Sequence, residues 1–213
     1  MRFAICLLAA SLSFAQRNVP IDNEFARVLV VTDAPNRGKG QLHEHTMNRV
    51  MVYLDEGSQR ITYDDGRMVN LKFKSGDVFW SPASGKHQSE NTGGKPTRII
   101  EIELKNTPKP FTPPPLDPIR AKLPQYMVEF DNPQVRVFRA NIPPHGKIVR
   151  HEHPLNRVTI YLKPQLSRIT VDGQAPMDVP APAVNEVRFG KPVIHAEENL
   201  ADAPIEGLVV EFK

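Results

Sequence analysis

The sequence predicts an all-β chain built as two tandem small β-barrels of the jelly-roll kind, joined by a proline-rich linker. Three observations predict it. Sliding the 213-residue chain against itself by 108 residues aligns 35–105 with 143–213 without a gap, and 21 of these 71 positions are identical. Self-similarity of this kind within one chain reports duplication of a structural unit. After the first 15 residues, no stretch of 12 or more carries the 3.6-residue apolar period of a helix. The 21 prolines are about twice the usual ~5%. They suit short strands with many connections, because proline removes a backbone donor and ends helices.

Taken in order, residues 1–15 read as a signal peptide. Arg2 supplies a positive charge, 3–14 is an apolar run, and Ser13-Phe14-Ala15 places small residues for cleavage near Ala15-Gln16. The run falls short of the ~20 residues that span a bilayer, so no stable membrane span is expected. The expected location is outside the cytoplasm, in the periplasm or beyond. The one cysteine, Cys6, lies inside the signal, so the mature chain has no thiol for a disulfide, a thiolate metal site or a nucleophile. The first barrel is expected over 22–105, with strands at 28–31, 50–54, 61–64, 78–80 and 98–104 bounded by Asp65-Gly66, Ser84-Gly85 and Gly93-Gly94. Residues 106–124 hold Pro108, Pro110, Pro113, Pro114, Pro115, Pro118 and Pro124, the composition of a semi-rigid spacer that holds the halves at a set distance. The second barrel follows over 125–213. About 80 residues of short strands is the size of a barrel that closes its own sheet edges.

Charge excludes one class of partner. The 27 Lys and Arg are balanced by 24 Asp and Glu without blocks, and no basic stretch is interleaved with aromatics, so nucleic acid is not an expected partner. Gly-x-Ser-x-Gly and Gly-x-x-x-x-Gly-Lys are both absent, which removes the common serine-hydrolase and phosphate-loop readings.

The histidines carry the chemistry. Six of the seven fall in the repeat as matched pairs: His43 with His151, His45 with His153 and His87 with His195, leaving His145 alone. Residues two apart on a strand share a face, so His43 and His45 project together while Glu44 points away. A third imidazole about 40 residues later, on another strand, completes a facial set for iron, manganese, zinc, nickel or copper. Asn91 and Asn199, Glu103 and Glu211, Tyr53 and Tyr161, and Arg49 and Arg157 also recur, whereas Glu101 and Trp80 do not. Glu101 and Glu103 share one strand face, and Trp80 reads as core.

These residues resemble the cupin superfamily, and the chain as a whole resembles a tandem bicupin. The first family motif is carried by Gly38 or Gly40, His43, His45 and Gly57, and the second by Gly76, Pro82, Gly85, His87 and Asn91. The second copy keeps His151, His153, His195 and Asn199 but has Val184, Gly190 and Val193 where the gapless alignment puts Gly76, Pro82 and Gly85. The resemblance implies a divalent metal held by each histidine triad. It also implies a glutamate as fourth ligand, and there the chain departs: Arg49 stands four residues after His45, and Arg157 repeats the change. Arginine stays protonated and repels a cation. It either turns aside, holds an anionic ligand by forked hydrogen bonds, bonds at the surface to a neighbour such as Glu44, or marks a barrel that has lost its metal. Tyr53 and Tyr161 share the strand face of the arginines and could line the cavity with them.

The expected function is that of an exported bicupin. It binds a divalent metal through the triad of barrel 1, and of barrel 2 as well, and acts on a small organic acid in a dioxygenase- or isomerase-like way, with Arg49, Arg157, Tyr53 and Tyr161 toward the substrate. The alternative is a non-catalytic small-ligand binder. Cupins often pair, so a homodimer is compatible with the resemblance.

Overall fold

The computed structural model describes residues 16–213; the expected signal peptide, 1–15, lies outside the described residues. Eighteen strands and no helix make up the described chain. The first nine are β1 (Gln16–Asp22), β2 (Ala26–Asp33), β3 (His43–His45), β4 (Arg49–Tyr53), β5 (Gly57–Tyr63), β6 (Met68–Phe73), β7 (Val78–Ser81), β8 (Ser84–Asn91) and β9 (Thr97–Leu104). The second nine are β10 (Tyr126–Asp131), β11 (Val135–Ile142), β12 (Lys147–His153), β13 (Arg157–Lys163), β14 (Ser167–Val171), β15 (Met177–Val179), β16 (Val187–Gly190), β17 (Val193–Asn199) and β18 (Ile205–Phe212).

Each set forms two antiparallel sheets that face one another. In the first barrel a five-stranded sheet runs β1-β2-β9-β4-β7 and a four-stranded one β3-β8-β5-β6. The second barrel repeats the order as β10-β11-β18-β13-β16 and β12-β17-β14-β15. The repeated asparagines hold equivalent corners: Asn23 accepts from the Phe25 and Ala26 N–H groups, and Asn132 accepts from those of Gln134 and Val135. Asn91 and Asn199 each donate to loop carbonyls and accept from the N–H two residues on.

The central strands of the five-stranded sheets are buried on both faces. Alternate residues of β2, β4 and β9 (Val28, Val50, Val52, Ile100 and Ile102) pack against Val135, Val137, Val158, Ile160, Leu208 and Val210 of β11, β13 and β18 in one fully buried core. Phe25 stacks on Phe189 and Phe212, and Trp80 meets Phe130 edge-on at 6.2 Å, across the same junction. Arg139 of β11 donates to the Gly76 carbonyl at 2.7 Å, and Asn48 donates to Gln134 at 2.9 Å. The halves therefore touch directly and are not held apart by a spacer. Part of the proline-rich segment docks instead: Asp117 is fully buried, and the Leu116 carbonyl accepts from Glu152 N–H of β12.

The gapless repeat is corrected at one turn. Gly76 has φ +86° and its N–H bonds the Tyr53 carbonyl; in the second barrel the residue in that place is Asn185, at φ +66°, bonding the Tyr161 carbonyl. Asparagine tolerates the left-handed region, so it substitutes for glycine there. Accordingly, Ser81 lies opposite Arg49 in β4, and Gly190 opposite Arg157 in β13. Gly190 thus replaces Ser81, not Pro82.

Leu208 is fully buried in the shared core. Leu208→Ala is expected to cost about 3 kcal/mol, and urea unfolding should remain one transition. Two transitions, one unshifted, would show that the barrels do not share a core.

Candidate metal centres

Strand register builds both histidine triads. His43 lies directly opposite His87 across β3 and β8, and His151 opposite His195 across β12 and β17. The third imidazole, two residues along, shares their face, so three ligand nitrogens lie within 4.8 Å of one another in each barrel. The backbone orients the rings. Nδ1–H of His43, His87 and His151 donates to the carbonyls of Gln41, Gly85 and Val149 at 2.8, 2.9 and 2.8 Å. Nδ1–H of His153 donates to Glu211 Oε1 at 2.8 Å. Binding Nδ1–H in this way fixes the tautomer whose Nε2 lone pair is free for a metal. Burial, helped by neighbouring positive charge, pushes His45 down to about 3 and His195 down to about 2, and lowers His87, His151 and His153, so these rings are neutral at pH 7.

The donor set fits a metal best in barrel 2. His195 Nε2 is buried with no hydrogen-bond partner, and the Nε2 atoms of His151 and His153 face one another at 3.2 Å. Three converging ring nitrogens with a single hydroxyl, that of Tyr126, among them leave lone pairs that a borderline divalent cation satisfies.

In barrel 1 the same position is contested. Arg49 is inward and only 6% exposed, not a surface partner of Glu44. Its Nη1 donates to His45 Nε2 at 2.7 Å and to Glu101 Oε2 at 3.2 Å, and its Nη2 donates to Ser81 Oγ at 3.0 Å. The guanidinium thus occupies the lone pair that a metal on His45 would take. Arg157 does not do this. Its Nη1 donates to the Lys191 carbonyl at 2.5 Å, and its guanidinium lies so close to Gly190 that a Cβ there would sit 3.0 Å from Cζ. The cause is local: Val209 stands in the repeat where barrel 1 has Glu101, and Gly190 where it has Ser81, so both tethers are missing.

A cavity of about 320 Å³ opens over the first triad, lined by Arg49, Glu101 and Ser81 on the polar side and by Met51, Ile61 and Leu71 among the apolar residues. Tyr53 also lines it, but its ring stacks on Phe73 at 3.9 Å, and burial pushes its hydroxyl up to about 12. Tyr161 is half-buried under the Arg188 guanidinium, 5.3 Å from its ring, and is raised by burial.

Two features escaped the sequence. Tyr126 reaches the second triad, placing its hydroxyl 2.9 Å from His151 Nε2. No repeat signal marks it, because barrel 1 has Arg17 at the equivalent place. The other is a buried hydrogen-bonded chain, Asp117–Arg136–Glu211–His153, running from the proline-rich segment to the triad, with no member more than 3% exposed. In barrel 1 the counterpart is looser: Arg27 lies 3.7 Å from Glu103, which lies 3.9 Å from His45 Nδ1.

A model of the cupin domain matches residues 29–103. Solved structures extend the likeness to both barrels. AerE from Microcystis aeruginosa covers 94% of this chain and 98% of its own at 13% identity, with a TM-score of 0.60. Oxalate decarboxylase from Bacillus subtilis, a protein with Mn(II) centres, covers 88% of this chain and 69% of its own at 14% identity and 0.58. The chain has the tandem two-barrel fold of these proteins, and its first barrel matches the cupin domain. A cupin 2 conserved barrel domain protein from Leptotrichia buccalis covers 94% of this chain and 88% of its own at 12% identity and 0.53. A search of the curated proteins found no match. No helix among the described residues is long and apolar enough to cross a membrane.

Removing Asp117 leaves Arg136 buried with one carboxylate instead of two. Asp117→Ala is expected to destabilise the protein by about 3 kcal/mol, measured by urea unfolding. A loss under about 0.5 kcal/mol would mean the segment is a spacer after all.

Proposed function

We propose that this bicupin holds a divalent first-row metal through His151, His153 and His195 and receives a small organic acid in barrel 1, at Arg49. The observation that carries the reading is the contrast between the triads: converging ring nitrogens that share only the Tyr126 hydroxyl in barrel 2, and a guanidinium bonded to His45 in barrel 1. Bound in barrel 2, a divalent cation would supply Lewis acidity or an O2-binding centre. The residues of barrel 1 supply recognition. Arg49 presents two N–H-bearing nitrogens toward a cavity of about 320 Å³, a size suited to a small molecule, whose apolar walls strengthen an ion pair with a carboxylate. A carboxylate that takes over the guanidinium releases His45 Nε2, and the first triad then becomes a metal site too.

A second reading, a ligand-binding protein without turnover, draws on one specific observation. Glu101, the carboxylate in the barrel 1 cavity, bonds Arg49 and is not free to move a proton. Export belongs to the proposal as well. It rests on residues 1–15 and is tested by sequencing the N-terminus of protein recovered outside the cytoplasm: a start near Gln16 supports it, and an intact Met1 overturns it.

Elemental analysis of the purified protein tests the metal reading. About one metal per chain is expected without added acid, lost in His151→Ala and kept in His43→Ala. Arg49→Ala should raise uptake toward two, because it frees His45 Nε2 and leaves Glu101 beside it. No metal above background would overturn the proposal. Metal lost with His43 and not with His151 would reverse the assignment of the barrels.

A further inference from the structure

We infer that Tyr126 is a fourth protein donor of the barrel 2 centre, making it a three-histidine, one-tyrosine site; the inference rests on the metal reading above. Tyr126 opens β10 and pairs with Ala140 of β11, which sets it on the five-stranded sheet, across the barrel from the triad. Its ring is wedged against Phe138 at 5.3 Å, His151 at 5.5 Å and His153 at 6.1 Å. The hydroxyl lies 2.9 Å from His151 Nε2 and 3.5 Å from His153 Nε2, over the point where the imidazoles converge.

Counting protons and lone pairs gives the reason. The Nδ1 protons of His151 and His153 are committed to Val149 and Glu211, so both Nε2 atoms are acceptors. His195 Nε2 is a third ring nitrogen of the set, buried and without a partner. The hydroxyl has one proton and satisfies His151 alone, leaving the Nε2 atoms of His153 and His195 without a donor from it. A cation at the convergence point satisfies all three nitrogens and the phenol oxygen together. On coordination the O–H···N bond is replaced by a metal–oxygen bond, and the phenol proton leaves to solvent. An N3O set of neutral imidazoles and one phenolate suits iron, manganese, copper or zinc. Barrel 1 cannot repeat this. Arg17, paired with Val31 as Tyr126 is with Ala140, replaces the oxygen donor with a cation whose charge reaches His45.

Cu(II) added alone, at one equivalent, to the mature chain tests the inference, because a copper-bound phenolate gives a charge-transfer band in the visible. The band is expected in the wild type and in His43→Ala. It should be absent in Tyr126→Phe, which keeps the ring packing and should bind copper about tenfold or more weakly with an unchanged circular dichroism spectrum. Copper bound in barrel 2, as shown by its loss in His151→Ala, but without a band in the wild type would overturn the tyrosine ligand and leave the metal reading standing. A band that persists in Tyr126→Phe would do the same. Copper uptake that His151→Ala does not reduce would overturn both.

Discussion

The two-residue alternation of the five-stranded sheets is the constraint on which the rest depends. Along β4, Val50 and Val52 enter the core shared by the barrels, while Arg49, Met51 and Tyr53 face the cavity. Along β9, Ile100 and Ile102 go one way and Glu101 the other. Because both faces are buried, a one-residue slip would drive Arg49 and the glutamates into an apolar junction and put valines over the triad. The register is therefore fixed by hydrophobic burial on one face, and the polar chemistry on the other face is positioned by it. The same holds across the four-stranded sheets, where register alone sets His43 against His87 and His151 against His195.

Within that shared frame, a few substitutions make the barrels electrostatically unlike. Ser81 and Glu101 draw Arg49 across the first triad; Gly190 and Val209 leave Arg157 nothing to hold, and it folds back onto the Lys191 carbonyl. Where barrel 1 has Arg17, barrel 2 has Tyr126. The result is a first barrel whose triad is hydrogen-bonded to a cation of the protein's own, and a second whose arginine acts on the triad through its charge alone and leaves the ring nitrogens to one another and a hydroxyl. Neither difference alters the strand order. Duplication kept the scaffold while the interior residues diverged.

The scaffold was legible because apolar alternation and recurrence are periodic signals. The triads were legible because three histidines returned at one offset. Three things were not. The turn at Asn185 lies where the copies share almost no identities, and a positive φ filled by asparagine instead of glycine hid a one-residue shift. Tyr126 has no counterpart in the first copy, so self-comparison could not mark it. Asp117 sits among prolines, and composition there reads as a spacer; its buried partner Arg136 and the Glu152 N–H that bonds the Leu116 carbonyl, neither adjacent in sequence, show that it is docked.

The arginine that displaced the expected glutamate now has a physical meaning. Glutamate at the position of Arg49 would add a negative charge and draw a cation into the first triad. A guanidinium in the same place is a tethered cation already bonded to one of the ligands. A metal and Arg49 would therefore compete for His45 Nε2, and their repulsion beside a guanidinium only 6% exposed exceeds that between exposed charges. An anion is the one class of ligand that lowers both costs, since it attracts the guanidinium and neutralises its charge toward the triad. On the proposed reading the site is therefore better suited to an acid than to a neutral molecule of equal size, and metal in barrel 1 would depend on the acid being there. Barrel 2, with Arg157 turned away, needs no such partner.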